Sequence, residues 1–138
     1  MAALPRALAF AVPPVVTREQ AARLQQLDAR IQRVVVPPGG HGVADFSSGV
    51  PAQLIVLAAA APGAVSVNIT LCARDGTPVR TKEAVPFDAA SGEVIVACRD
   101  YYVMDETLPR AATFQVEATG PGGERTTRKF DVDHVLPV

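Results

Sequence analysis

Tryptophan is absent from this chain of 138 residues, aromatic side chains make up only 5% of it, and it has two cysteines and two histidines. Each shortage removes options. With so few rings, a core has to be built from aliphatic side chains. A Ser-His-Asp or Cys-His constellation would have to use His41 or His134, and neither sits in a nucleophile elbow or another catalytic signature. No hydrophobic run is long enough to span a bilayer, so no membrane partner is expected. The net charge of −1 lacks the strongly basic footprint of a nucleic-acid binder, so no nucleic-acid partner is expected either.

What is present favours strands. Apolar residues make up 49%, enough for one packed core, and charged residues 20%. There are 20 Val and 4 Ile against 9 Leu. β-Branched side chains lose rotamer freedom in helices and pack well on a pleated sheet. The 12 Pro and 10 Gly punctuate the chain as short strands joined by turns require. Charge is unevenly spread. Residues 1–44 carry five Arg against Glu19 and Asp28, and residues 45–138 have a balance of −4. A mildly basic N-terminal part on an acidic body is suited to docking on an acidic partner or on a neighbouring copy.

Residues 1–16 read as an extended, apolar, Pro-rich arm, because proline fixes φ and biases the preceding residue toward extended backbone. Pro5, Pro13 and Pro14 break the apolar run that could otherwise mimic a signal peptide. The arm therefore reads as retained and the protein as not exported. Residues 17–138 read as one domain. Thr17 followed by Gln20 forms a capping-box pattern, and Ala21, Leu24, Leu27 and Ile31 follow at helical spacing, which predicts a helix over about 18–29. Strands are expected at 34–36, 43–47, 53–60, 65–73, 77–85, 93–98, 113–119 and 124–132, with Asp75-Gly76 as a hairpin turn. The run 53–60 is apolar throughout after Gln53, as in a strand buried on both faces. The expected fold is all-β: an eight-stranded jelly roll or immunoglobulin-like sandwich, with the arm and one short helix.

Candidate chemistry is sparse. Asp131 and Asp133 share a strand face beside His134, but no further ligand cluster has matching spacing, and the segment reads as a solvated edge strand rather than a metal site. His41, in Gly39-Gly40-His41-Gly42, reads as a loop histidine, since the Lys-Ser/Thr of a phosphate-binding loop is missing. Asp100, Asp105 and Glu106 flank Tyr101 and Tyr102. The acids beside aromatics are compatible with sugar binding, and the tyrosines with a protein contact. Cys72 and Cys98 fall on mismatched strand faces, so free thiols are expected, in keeping with a reducing compartment. Asn68-Ile69-Thr70 is a glycosylation sequon that should stay unmodified without export. No catalytic residue, metal or cofactor is expected. The candidate contact residues are Leu4, Leu8, Phe10, Val12, Val15, Val16, Tyr101 and Tyr102. The arm's apolar surface must be laid over its own domain or over a neighbour.

In size, β content, uncleaved arm and lack of catalytic motifs the chain resembles the small cement or decoration proteins of tailed-bacteriophage heads. That resemblance implies a body that clamps adjacent subunits of the major capsid protein and also contacts copies of itself, as a dimer or trimer. It also implies a place on the virion surface after assembly in the host cytoplasm. The alternative expectation is a ligand- or carbohydrate-binding β-sandwich module.

Overall fold

The computed structural model describes residues 15–37, 39–45, 52–57, 63–73, 75–98 and 111–135. In chain order the elements are β1 (Val15–Val16), α1 (Arg18–Leu27), β2 (Gln32–Val36), β3 (His41–Asp45), β4 (Gln53–Leu57), β5 (Ser66–Ala73), β6 (Pro78–Lys82), β7 (Val94–Cys98), β8 (Ala111–Thr119) and β9 (Arg125–Val135). They form a four-stranded sheet, ordered β1-β7-β4-β2, and a five-stranded sheet, ordered β3-β9-β8-β5-β6. The all-β expectation holds at this level, as two sheets and one short helix.

Among the described residues there are nine strands where eight were expected. The additional one is β1, which pairs Val15 with Val96 and Val16 with Ile95. Its two residues had been read as part of the arm. No local periodicity marks so short a strand; pairing with β7 creates it.

The helix forms where its cap lies. The Thr17 hydroxyl accepts a bond from the Gln20 backbone N–H at 3.1 Å, and the Gln20 side chain accepts from the Thr17 N–H at 2.9 Å. Such caps are worth about 1 kcal/mol. The helix ends two residues earlier than expected, at Leu27, where Asp28 takes an extended conformation. The Asp28 carboxylate accepts bonds from the Arg30 side chain (2.7 and 3.0 Å) and from the Arg30 backbone N–H (3.0 Å).

Two apolar clusters place the layers. The first lies between the sheets and joins Val36, Ile55, Val94, Val96 and Cys98 to Val67, Leu71, Phe114, Val116, Phe130 and Val132. The second lies on the outer face of the four-stranded sheet, where Ala21 and Leu24 of α1 cover Val16, Leu54, Val56, Ile95 and Ala97. β4 and β7 are therefore buried on both faces, as their continuous apolar runs require. In β7, Val94, Val96 and Cys98 face the inter-sheet core, and Ile95 and Ala97 serve the second one.

Three aspartates connect the fold to pH. Asp28 is held below the usual carboxylate range chiefly by its side-chain bonds to Arg30, Asp75 by the backbone N–H of Thr77, and Asp88 by the Ser91 hydroxyl. A carboxyl with a depressed native pKa binds fewer protons folded than unfolded. Its stabilising contribution is complete above the unfolded value and is lost as pH falls through the native one. The melting temperature should therefore fall on acidification below about pH 4, the window set by ordinary aspartate pKa values. In Asp28→Asn that fall should be shallower, because one of the three groups no longer titrates. Thermal melts between neutral and acidic pH check both.

Candidate interaction surface

The connection from β2 to β3 positions the first candidate. Val36 ends a strand of one sheet, Pro37 stops it, and β3 begins the edge of the other at His41. Gly39 takes φ 69°, and the Gly40 N–H returns to the Pro37 carbonyl at 2.8 Å, closing a tight turn. β2 and β3 thus lie on one flank, as the outermost described strands of their sheets. Val34 and Val36 lean over Gly42, where an added Cβ would meet Val36 Cγ2 at 2.5 Å.

β3 runs parallel to β9, with His41 opposite Asp131 and Val43 opposite Asp133. This corrects two expectations. His41 is the first residue of a strand rather than a loop residue, and β9 is flanked by β3 and β8 rather than lying at an edge. On the outer face of this sheet His41 Nε2–H donates to Asp133 Oδ2 at 2.7 Å, and the Thr113 hydroxyl donates to Asp131 Oδ1 at 2.7 Å. Both members of the His41–Asp133 pair are well exposed. The pair spans 92 positions in sequence. Only the parallel pairing of β3 with β9 brings it together, so no local signal could have found it.

Other polar groups serve the framework. Asn68, of the sequon, accepts a bond through Oδ1 from the Ala84 N–H at 2.9 Å; Ala84 has a φ of 50°, and the bond helps to hold this strained connector. Gln53 is buried in β4 and its Nε2 donates to Gln32 Oε1 (2.9 Å) and to the Asp45 carbonyl (3.3 Å), tying β4 to β2 and to the end of β3. Its own Oε1 has no partner. Cys72 and Cys98 are buried thiols not joined by a disulfide; Cys98 lies in the inter-sheet core and Cys72 outside it.

Three of the clefts are lined entirely by described residues. The largest, about 410 Å³, runs between α1 and the outer face of the four-stranded sheet, lined by Arg18, Gln25, Arg33 and Ile95 among others. A second of about 130 Å³ lies around Thr17, Phe87 and Asp88, and a third of about 280 Å³ around Ala64, Ala118 and Glu124. Neither His41 nor either cysteine lines any of the three. Among the described residues no group of three or more His, Cys, Asp or Glu converges to hold a metal ion. No helix among them is long and apolar enough to cross a membrane.

Of the contact residues expected from sequence, Val15 and Val16 are buried in their own chain, at 6% and 2% exposure, Val15 between the sheets and Val16 beneath the helix. Leu4, Leu8, Phe10, Val12, Tyr101 and Tyr102 lie outside the described residues, as do Asp100, Asp105 and Glu106. The sequence reading missed Val35 and Arg33 of β2. Val35 is 58% exposed, and its signal was available as a third consecutive valine where alternation lets only two face inward. The chain matches no protein-family model, and no curated protein is significantly similar to it.

Proposed function

We propose that the protein is a non-catalytic structural module that binds and stabilises a larger assembly. The carrying observation is the dispersal of the reactive groups among the described residues. The cysteines are buried, His41 is bonded to Asp133 on an open sheet face, and the clefts are lined by other side chains. A catalytic site needs a nucleophile or acid within reach of a base and a place for substrate beside them. What the described residues present instead is sheet surface and strand edge.

The narrower form of the proposal is a cement or decoration protein of a phage capsid, bridging subunits of the major capsid protein and contacting copies of itself on the virion. Size, β architecture and the uneven charge support it. Many weak contacts placed by a lattice yield high avidity. An immunoglobulin-like arrangement is the second part of the proposal. It is supported by β4 beside β7 in one sheet and by β5, β8 and β9 in the order of strands C, F and G in the other. The carbohydrate-binding alternative relied on Tyr101 and Tyr102; of the described aromatics, Phe114 and Phe130 are fully buried and Phe87 packs against the core.

The test is gradient fractionation of particles from the source cells, followed by quantitative mass spectrometry. The expected result is co-migration with capsid-sized particles, in a copy number comparable to the main shell subunit. Recovery only as a free 14.5 kDa species would overturn the proposal.

A further inference from the structure

We propose that two copies of the chain pair through β2, antiparallel about a two-fold axis at Val34, to make one continuous eight-stranded sheet. The inference deepens the assembly reading and rests on it only for its use in the cell.

The backbone sets the register. β2 pairs with β4 in parallel, Gln32 opposite Gln53, and the Gln32 N–H donates to the Ala52 carbonyl. In a parallel ladder alternate residues bond to the neighbour. Gln32, Val34 and Val36 therefore turn their N–H and C=O toward β4, and Arg33 and Val35 turn theirs outward from the sheet. A two-fold at Val34 sets Arg33 opposite Val35 of the second copy, and the reverse. Each such pair is a closely bonded antiparallel pair that exchanges two N–H···O bonds.

The side chains complement themselves in the same register. Arg33 and Val35 lie on the outer face of the sheet, opposite in direction to Val34 and Val36, which pack toward the inter-sheet core. Val35 is 58% exposed, and Arg33 forms no ion pair among the described residues. Across the axis, the aliphatic stem of Arg33 lies over Val35 of the second copy, covering an apolar group and keeping the guanidinium in water.

The other strand ends are blunted against such pairing. β1 has two residues, β6 begins with Pro78 and carries Arg80 and Lys82, and β3 exposes His41 and Asp45. Proline, lysine and charged side chains are the usual guards of a sheet edge. β2 carries three valines in succession and no proline until Pro37.

A five-residue strand pair covers well under the roughly 800 Å² per partner of a stable interface. The free protein should therefore associate weakly, and usefully only when several copies are held close together. The two Arg33 guanidiniums sit diagonally across the axis, so salt should strengthen the dimer by screening them. An acidic strand from another protein would bind Arg33 more weakly in salt.

Sedimentation equilibrium of the full chain from about 10 μM to about 1 mM is the first measurement. The expected result is a weight-average mass rising toward twice 14.5 kDa, further at higher salt. Val35→Pro removes one outward N–H without touching the ladder to β4. It should stay monomeric over the same range, with its thermal melt close to that of the parent. Arg33→Cys and Val35→Cys, mixed and oxidised, should cross-link to each other and neither to itself. A parent monomeric to the highest concentration, a Val35→Pro chain that dimerises like the parent, or self-linking of Val35→Cys would each overturn the pairing. The particle-fractionation result would stand unaffected.

Discussion

Phe114→Ala should destabilise the fold by about 3–5 kcal/mol, the range for removing a fully buried phenylalanine. Phe114 and Phe130 are directly paired across β8 and β9, both at 0% exposure, and they are the largest side chains of the inter-sheet core. The chain has five Phe, two Tyr and no Trp, and the described aromatics are Phe87, Phe114 and Phe130, so few rings are at hand to refill the site. The neighbours are strand valines such as Val116 and Val132, with few rotamers to swing into a cavity. At the usual conversion for a domain of this size the melting temperature should drop by roughly 10–15 °C. Urea titration should show a lower midpoint with an unchanged slope, since native compactness is retained. Phe114→Leu, which restores part of the volume, should recover more than half of the loss. A loss below about 1 kcal/mol for the alanine variant would mean that Phe114 does not fasten the two sheets.

Gly42→Ala should cost about 1–3 kcal/mol, although it adds a single methyl. An added Cβ meets Val36 Cγ2 at 2.5 Å and Val34 Cγ1 at 3.4 Å. Val36 is fully buried between the sheets and cannot step aside without opening the flank. The clash separates β2 from β3, so hydrogen exchange should quicken at the β3 amides while the β5–β8–β9 ladder stays protected. The control is Gly39→Ala, at the turn just before. Its Cβ would meet nothing, and its cost is confined to the positive φ of 69°. Equal behaviour of the two variants, with no local loss of protection in Gly42→Ala, would show that the flank is not closed by this contact.

How much of this was legible follows from how local each interaction is. The helix could be read because Thr17 and Gln20 cap each other three positions apart. The β5–β6 hairpin could be read from Asp75-Gly76: Gly76 takes φ 95° and the Asp75 carboxylate accepts a bond from the Thr77 N–H at 2.9 Å. β4 could be read as buried on both faces from five apolar or buried positions in succession. What could not be read was the partner of each edge. Val15–Val16 becomes a strand only against β7, and β3, expected at 43–47, begins at His41, where it pairs with β9. Both pairings join distant stretches of chain, and neither leaves a repeat or turn in the sequence between them. The candidate surface was legible only in part. Three consecutive valines cannot all face one core, but only the parallel register with β4 shows that Val35 is the one turned outward. The expected contacts at Val15 and Val16 were apolar residues correctly identified as needing cover, and their own sheet and helix supply it.

The short strand β1 also decides how a mechanical load would enter the body. A load applied at the start of β1 meets Val15 and Val16 first. From there it passes sideways into β7, which is hydrogen-bonded to β4 on its far side and enclosed by apolar layers above and below. A pull on β1 is therefore carried by a strand bonded on both sides rather than by a loose loop.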